Sequence, residues 1–149
     1  MRLATNCGAM ADIGMSGATA LVLDASAMVD LLLDTTASRA VQSAVRGRPL
    51  AVPAHFDAEV LSAIGRLHRA GELTDSAAHA RIERLAAAPL QREPLAPLLI
   101  GAWARSDDTR LTDALYLELA SVLGTVVLTT DHRLARAHPT QTALPEELA

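Results

Sequence analysis

The sequence predicts an α/β fold: a three-layer sandwich whose central, mostly parallel sheet of four to five strands is flanked by helices. Three observations predict it. Short apolar runs without polar alternation, Leu21-Val22-Leu23 and Val126-Val127-Leu128, read as strands buried on both faces. Such runs alternate with segments of helical period, the pattern of a layered α/β domain. The chain has 149 residues, half of them apolar, which suits one domain that buries roughly two thirds of its unfolded surface.

Each element has its own signal. Residues 1–19 are rich in Ala, Gly, Met and small polar residues and show no sustained period. They read as a flexible extension, or as a start placed too early, with Met10 or Met15 as the true start. One domain is expected over residues 20–145. It opens with a strand over 20–24, an apolar run that ends in Asp24. A helix over 25–33 follows at once. Thr35 and Thr36 are candidate caps of a second helix, which Gly47 and Pro49 stop. A strand over 50–53 leads into a long helix over 54–70, with Phe56, Val60, Ile64 and Leu67 on one face. Thr74 or Asp75 opens a helix that runs to about residue 88. A weaker strand is expected over 90–94. A helix is expected over 95–105, with Pro97 in its first turn. Ser106 to Arg110 form a polar loop, and Thr112 opens a helix that Gly124 ends. Residues 125–128 form the clearest strand, and 133–137 a short helix. An edge strand is expected over 140–144, followed by a tail.

Composition excludes several classes. A disordered chain would be less apolar, and a disulfide scaffold would hold more than the single Cys7. A formal net charge of -4 excludes a basic nucleic-acid coat. Apolar runs such as residues 31–33 and 98–100 fall far below the roughly 20 residues of a membrane span. With no signal peptide in view, the expected compartment is the cytoplasm. His55, His68, His79 and His138 have no zinc-like spacing with Cys7.

Four acids carry the chemistry. Asp24 ends the first strand, and Asp131 lies just past the end of the strand at 125–128. Asp113 and Glu59 lie in the first turns of two helices. Open α/β sheets bind ligands at the carboxyl edge of their strands, near a switch in strand order. Each acid also has a plainer use: Asp24 and Asp131 as helix caps, Asp113 as partner of a helix dipole, Glu59 as solvated surface. Carboxylates that converge stay ionised together only with cations between them. Hard oxygen donors select Mg²⁺ or Mn²⁺, and such ions activate water for attack on a phosphate. Water attacking phosphorus directly would leave a 5′-phosphate and a 3′-hydroxyl. The excess of acid thus no longer argues against a polyanionic substrate.

The same stretches resemble a known family. Val22-Leu23-Asp24-Ala25-Ser26-Ala27 is similar to the opening motif of PIN domains, and specifically of VapC-type toxin ribonucleases. Pro53-Ala54 with Glu59-Val60 resembles their second motif, residues 111–117 (Leu-Thr-Asp-Ala-Leu-Tyr-Leu) the third, and residues 128–134 (Leu-Thr-Thr-Asp-His-Arg-Leu) the fourth. The four stand in family order. The resemblance implies a metal-dependent endoribonuclease, commonly a homodimer, neutralised by a small antitoxin that covers the acidic groove. It implies Asp24 and Asp113 as the firmest metal ligands, completed by Glu59 and Asp131. Ser26 and Thr129 match hydroxyl positions that support the site. The family usually begins within a few residues of its first strand, whereas this chain starts about 20 residues earlier. Asp107 and Asp108 add an acidic pair ahead of the third motif.

RNA contacts call for basic residues, and all 13 in this chain are arginine. Arg110 and Arg133 are the expected phosphate contacts by proximity to the motifs. Arg66 and Arg69 share the helix of Glu59. Trp103 and Tyr116 are expected to pack rather than stack on bases. Met28 and Leu31 to Leu33 are expected to pack, or to form a dimer or antitoxin surface where exposed. Two rivals remain on sequence alone. One is a nuclease of the same fold in housekeeping RNA or DNA processing. The other is a non-catalytic doubly wound domain: a signalling domain with Asp24 as phosphoacceptor would call for an acid pair and a lysine that this chain lacks, and a silent binding module for the loss of one of the four acids, all of which are present.

Overall fold

A computed structural model describes residues 20–148. The extension expected over residues 1–19 lies outside the described residues. Five strands, β1 (Leu21–Leu23), β2 (Leu50–Pro53), β3 (Gln91–Glu93), β4 (Val127–Leu128) and β5 (Thr142–Ala143), form one sheet in the order β3-β2-β1-β4-β5. Every pairing is parallel. Helices cover the sheet: α1 (Ala25–Leu33), α2 (Ser38–Val45), α3 (Phe56–Arg69), α4 (Asp75–Ala86), α5 (Leu99–Trp103), α6 (Leu111–Leu123), α7 (His132–Ala137) and α8 (Pro145–Leu148). The expected α/β sandwich is the observed one. No described helix is long and apolar enough to cross a membrane.

The apolar runs behave as their composition requires. All three residues of β1 and both of β4 are buried, so these strands have no solvent face to mark with polar residues. The edge strand β3 is polar and largely exposed. Helix α6 packs against β1, β2 and β4, with α5 against it. Phe56, Val60 and Ile64 of α3 and Val41 and Ala44 of α2 complete the core.

Strand order fixes the place of the site. The chain builds outward from β1 through β2 to β3, then returns to the other side of β1 for β4 and β5. The carboxyl ends of β1 and β4 therefore flank the switch in strand order. Backbones diverge there, and a crevice opens.

Local differences have local causes. The helix expected over 95–105 is a 3₁₀ turn, Ala96–Leu98, followed by the short α5. Pro97, which has no N–H to donate, sits in that tight turn. Thr35 and Thr36 do not cap α2. Its cap position is Ala37, and the Thr35 hydroxyl instead donates to Asp30 Oδ1 at 2.7 Å. Thr74 does cap α4, accepting from the Ala77 amide at 3.2 Å. The expected tail is the short helix α8, whose Leu148 packs on the core. Trp103, expected to pack, is 65% exposed, whereas Tyr116 is wholly buried. Met28 and Leu32 are core residues, not a free docking surface.

Gly124 ends α6 in the left-handed region, at φ 66°, where its amide reaches Ala120 and Ser121 carbonyls. A Cβ there meets no atom within 4 Å, so substitution costs backbone strain alone. Gly124→Ala is expected to lose about 1–2 kcal/mol. At about 2–4 °C per kcal/mol, thermal melting resolves this easily. Gly124→Asn, which tolerates this conformation, should lose less.

Candidate active site

Asp24 occupies the cap position of α1 but makes no side-chain capping bond. Its carboxylate accepts instead from two hydroxyls: Ser26 Oγ at 2.6 Å and Thr129 Oγ1 at 2.7 Å, both to Oδ2. The two hydroxyls lie 3.1 Å apart. Thr129, fully buried at the end of β4, also receives the Asp131 amide at 3.0 Å, and Ser26 receives the Thr130 amide at 3.2 Å. The ends of β1 and β4 are thus tied through the Asp24 carboxylate. Asp24 is 7% exposed. Burial pushes its pKa above the usual carboxylate value, the Ser26 and Thr129 hydroxyls pull the other way, and Asp113 adds to the rise.

Asp131 has two uses at once. Its Oδ1 caps α7, accepting from the Arg133 amide at 2.8 Å and the Leu134 amide at 3.2 Å. Its Oδ2 faces the Arg133 guanidinium at 3.3 Å. Burial alone would raise its pKa, but the Leu134 and Arg133 amides and the Arg133 charge outweigh it and hold the carboxyl below its ordinary value. The same Arg133 nitrogen stands 3.3 Å from Asp113 Oδ2.

Glu59 comes from the first turn of α3. Its Oε2 accepts a short hydrogen bond from the Tyr116 hydroxyl, and His55 Nε2 stands 3.3 Å from the same oxygen without hydrogen-bond geometry. The His55 and Tyr116 rings meet at a centroid distance of 4.9 Å, tilted by 58°. Burial first, then Glu59, pushes the Tyr116 phenol far above its ordinary pKa, so it remains a donor.

One cleft of about 470 Å³ collects these groups. Asp24, Glu59, Asp113, Asp131 and Ser26 all line it, as do Asp30, Arg66 and Thr130. The four acids read from the sequence therefore converge on one opening at the switch in strand order. Neither Arg110 nor Arg133 lines it, although Arg133 reaches two of the acids that do. Asp107 and Asp108 are exposed in their loop. Sequence reasoning missed Asp30, which lies four residues after Ser26 and so on the same face of α1. It missed His55 and the Tyr116 hydroxyl as partners of Glu59. Arg66 follows Glu59 by seven residues, two turns along one face of α3.

An all-carboxylate donor set suits a hard cation such as Mg²⁺ or Mn²⁺, and a buried acid with a raised pKa is what such a cation relieves. The residues fit that kind of ion. As they stand, no three His, Cys, Asp or Glu side chains among the described residues are gathered tightly enough to hold one. Two contacts engage them instead: Arg133 stands between Asp113 and Asp131, and the Tyr116 hydroxyl donates to Glu59.

Comparison with known proteins identifies the family of the chain. The PIN domain model matches residues 21–138. Ribonuclease VapC3 of Mycobacterium tuberculosis is 54% identical over 125 residues, 83% of this chain and 91% of that protein. Ribonuclease VapC12 of the same species is 36% identical over 118 residues, 79% and 92% of the two chains. Among solved structures, PAE2754 from Pyrobaculum aerophilum superposes with a TM-score of 0.62 at 23% identity, covering 92% of each chain. A chain of a toxin–antitoxin complex from Klebsiella pneumoniae gives 0.60 at 17% identity, covering 85% of this chain and 98% of that one. These two show the likeness of fold alone. With a family model over most of its length and curated relatives matched almost end to end, this chain belongs to the PIN domain family, among the VapC ribonucleases.

Proposed function

We propose that the chain is a divalent-metal-dependent endoribonuclease of VapC type, the toxin of a toxin–antitoxin pair, with Mg²⁺ as its ion and Mn²⁺ as a substitute. One observation carries the reading beyond family membership. The buried Asp24, held by the Ser26 and Thr129 hydroxyls, opens into the cleft that Glu59, Asp113 and Asp131 also line. These four acids are the residues assigned to the metal. When bound, the ion supplies an activated water and offsets charge on the phosphate.

The chain's own groups do the positioning. Ser26 and Thr129 fix Asp24 Oδ2 and hold the acid against its burial. Helix α7 fixes Asp131 by taking both of its capping bonds through Oδ1. Tyr116 engages Oε2 of Glu59, which leaves Oε1 for the cleft, where it can orient a water. Arg66, in the cleft wall, is assigned to an RNA phosphate. Arg133 is positioned for the same task once it leaves the two acids; Arg110 is the more peripheral contact. The antitoxin would cover the acidic cleft. Homodimerisation belongs to the same proposal, and the exposed Leu99, Ile100 and Trp103 of α5 offer a surface for it. The cytoplasm is the compartment this reading assigns.

Purified protein incubated with cellular RNA is expected to cut it in the presence of Mg²⁺, leaving 5′-phosphate ends. EDTA should stop the reaction and Mn²⁺ should restore it. Cleavage that survives EDTA, or ends bearing a 2′,3′-cyclic phosphate, would overturn the metal mechanism.

A further inference from the structure

Arg133, beside this cleft, makes a contact that phosphate binding does not explain. It is the second residue of α7, and the cap made by Asp131 sets where its side chain begins. From there the guanidinium turns back, and one nitrogen, Nη2, stands 3.3 Å from Asp131 Oδ2 and 3.3 Å from Asp113 Oδ2. A single permanent positive charge thus bridges two of the four acids assigned to the metal. Two neighbouring carboxylates repel, and a cation between them offsets that repulsion. Here the chain supplies its own. Asp131 Oδ1 is already used by the α7 amides, so Oδ2 is its free oxygen, and that is the one Arg133 occupies.

We infer that Arg133 is a resident counter-ion of the metal site, which gives up its place between Asp113 and Asp131 when a divalent ion enters. This rests on the proposed metal site and goes beyond it. A Mg²⁺ ion draws its oxygens to about 2.0–2.1 Å. A guanidinium nitrogen bound to the same two oxygens cannot share that space. The exchange is cheap to make, because the arginine side chain is 53% exposed and water receives it. Exposed ion pairs of this kind are weak individually. The arginine therefore holds the metal-free acids in place without locking the ion out. Its effect is to lower apparent metal affinity by the fraction of molecules in which the place is taken. It also delivers a free guanidinium to the cleft only after the metal is in.

The test is direct binding of Mn²⁺ to the full chain by calorimetry, with no RNA present. Arg133→Met is expected to bind Mn²⁺ about three- to tenfold more tightly than the unaltered chain, the range that one or two weak exposed contacts allow. Arg66→Met removes a charge from the cleft wall itself without a contact to either acid, and is expected to change affinity less than about twofold. Equal or weaker binding by Arg133→Met would overturn the exchange. So would an equal gain from Arg66→Met, which would mean a general field effect. In the unaltered chain, the Arg133 Nε–Hε resonance should move in step with Mg²⁺ occupancy; a resonance that stays fixed at saturation also overturns it. Failure of the underlying site looks different: neither the unaltered chain nor any variant would take up Mn²⁺, and Arg133 would then have nothing to exchange with.

Discussion

Asp24→Asn is expected to lower RNA cleavage about a thousandfold while making the metal-free protein more stable. The loss follows from chemistry: metal-assisted stabilisation of a phosphoryl transition state is worth several kcal/mol, and about 4 kcal/mol is a factor of a thousand. Asparagine keeps the size of the side chain but brings no charge to hold the ion. The gain in stability follows from burial. Asp24 is 7% exposed, and burial raises its pKa above the ordinary 3.8 of an aspartate. A carboxyl with a raised folded-state pKa is protonated more readily in the folded protein than in the unfolded one. Stability therefore falls as pH rises through 3.8 toward the folded value, and the deficit persists at neutral pH. An uncharged amide escapes it. In EDTA at pH 7 the variant should melt higher, by about 2–4 °C for each kcal/mol recovered. The difference should shrink as pH falls below the unfolded carboxyl value. Added Mg²⁺ should raise the melting temperature of the unaltered chain and leave the variant unmoved. A variant that melts lower than the parent in EDTA at pH 7 would show that the Asp24 charge is compensated within the fold.

Residues differ in how plainly the sequence announces them. Asp24 was legible because an acid closing the run Leu21-Val22-Leu23 has one place to go in a parallel sheet, the carboxyl edge. Asp131 was legible on the same ground. Its capping and cleft roles were read as rivals, yet it fills both, because a carboxylate has two oxygens and α7 takes only Oδ1. Arg133 was read as a groove residue from its distance along the chain to Asp131. Its bond to Asp113, 20 residues away, needs the fold to bring the first turns of α6 and α7 within side-chain reach and has no local signature. The helix α8 was missed although Pro145 and the acids Glu146 and Glu147 form an ordinary helix start. Trp103 misled through size alone. On a five-residue helix packed outside α6, much of its ring remains in water.

Tyr116 is the least legible member of the site and one of its most consequential. In sequence it is one apolar residue among many on α6, and only the fold brings it to Glu59, 57 residues earlier. Tyr116→Phe removes one hydroxyl and leaves the buried ring, so no cavity forms. A lost hydrogen bond of this kind costs about 1 kcal/mol, and Glu59, which is partly exposed, can turn to water. Melting should therefore fall by only a few degrees. The effect on function is expected to be larger. Partners that orient a ligating carboxylate typically contribute 10- to 100-fold to metal affinity or activity. The Mg²⁺ concentration for half-maximal cleavage should rise by about tenfold, with cleavage at saturating Mg²⁺ much less affected. Because burial keeps the phenol protonated well beyond neutral pH, the defect should be the same from pH 6 to pH 9. Tyr116 acts here through Glu59, so the two substitutions must be non-additive: adding Tyr116→Phe to Glu59→Gln should change little further. Full additivity, or an unchanged Mg²⁺ requirement, would reduce Tyr116 to a packing residue. The short bond to Glu59 would then be incidental to catalysis.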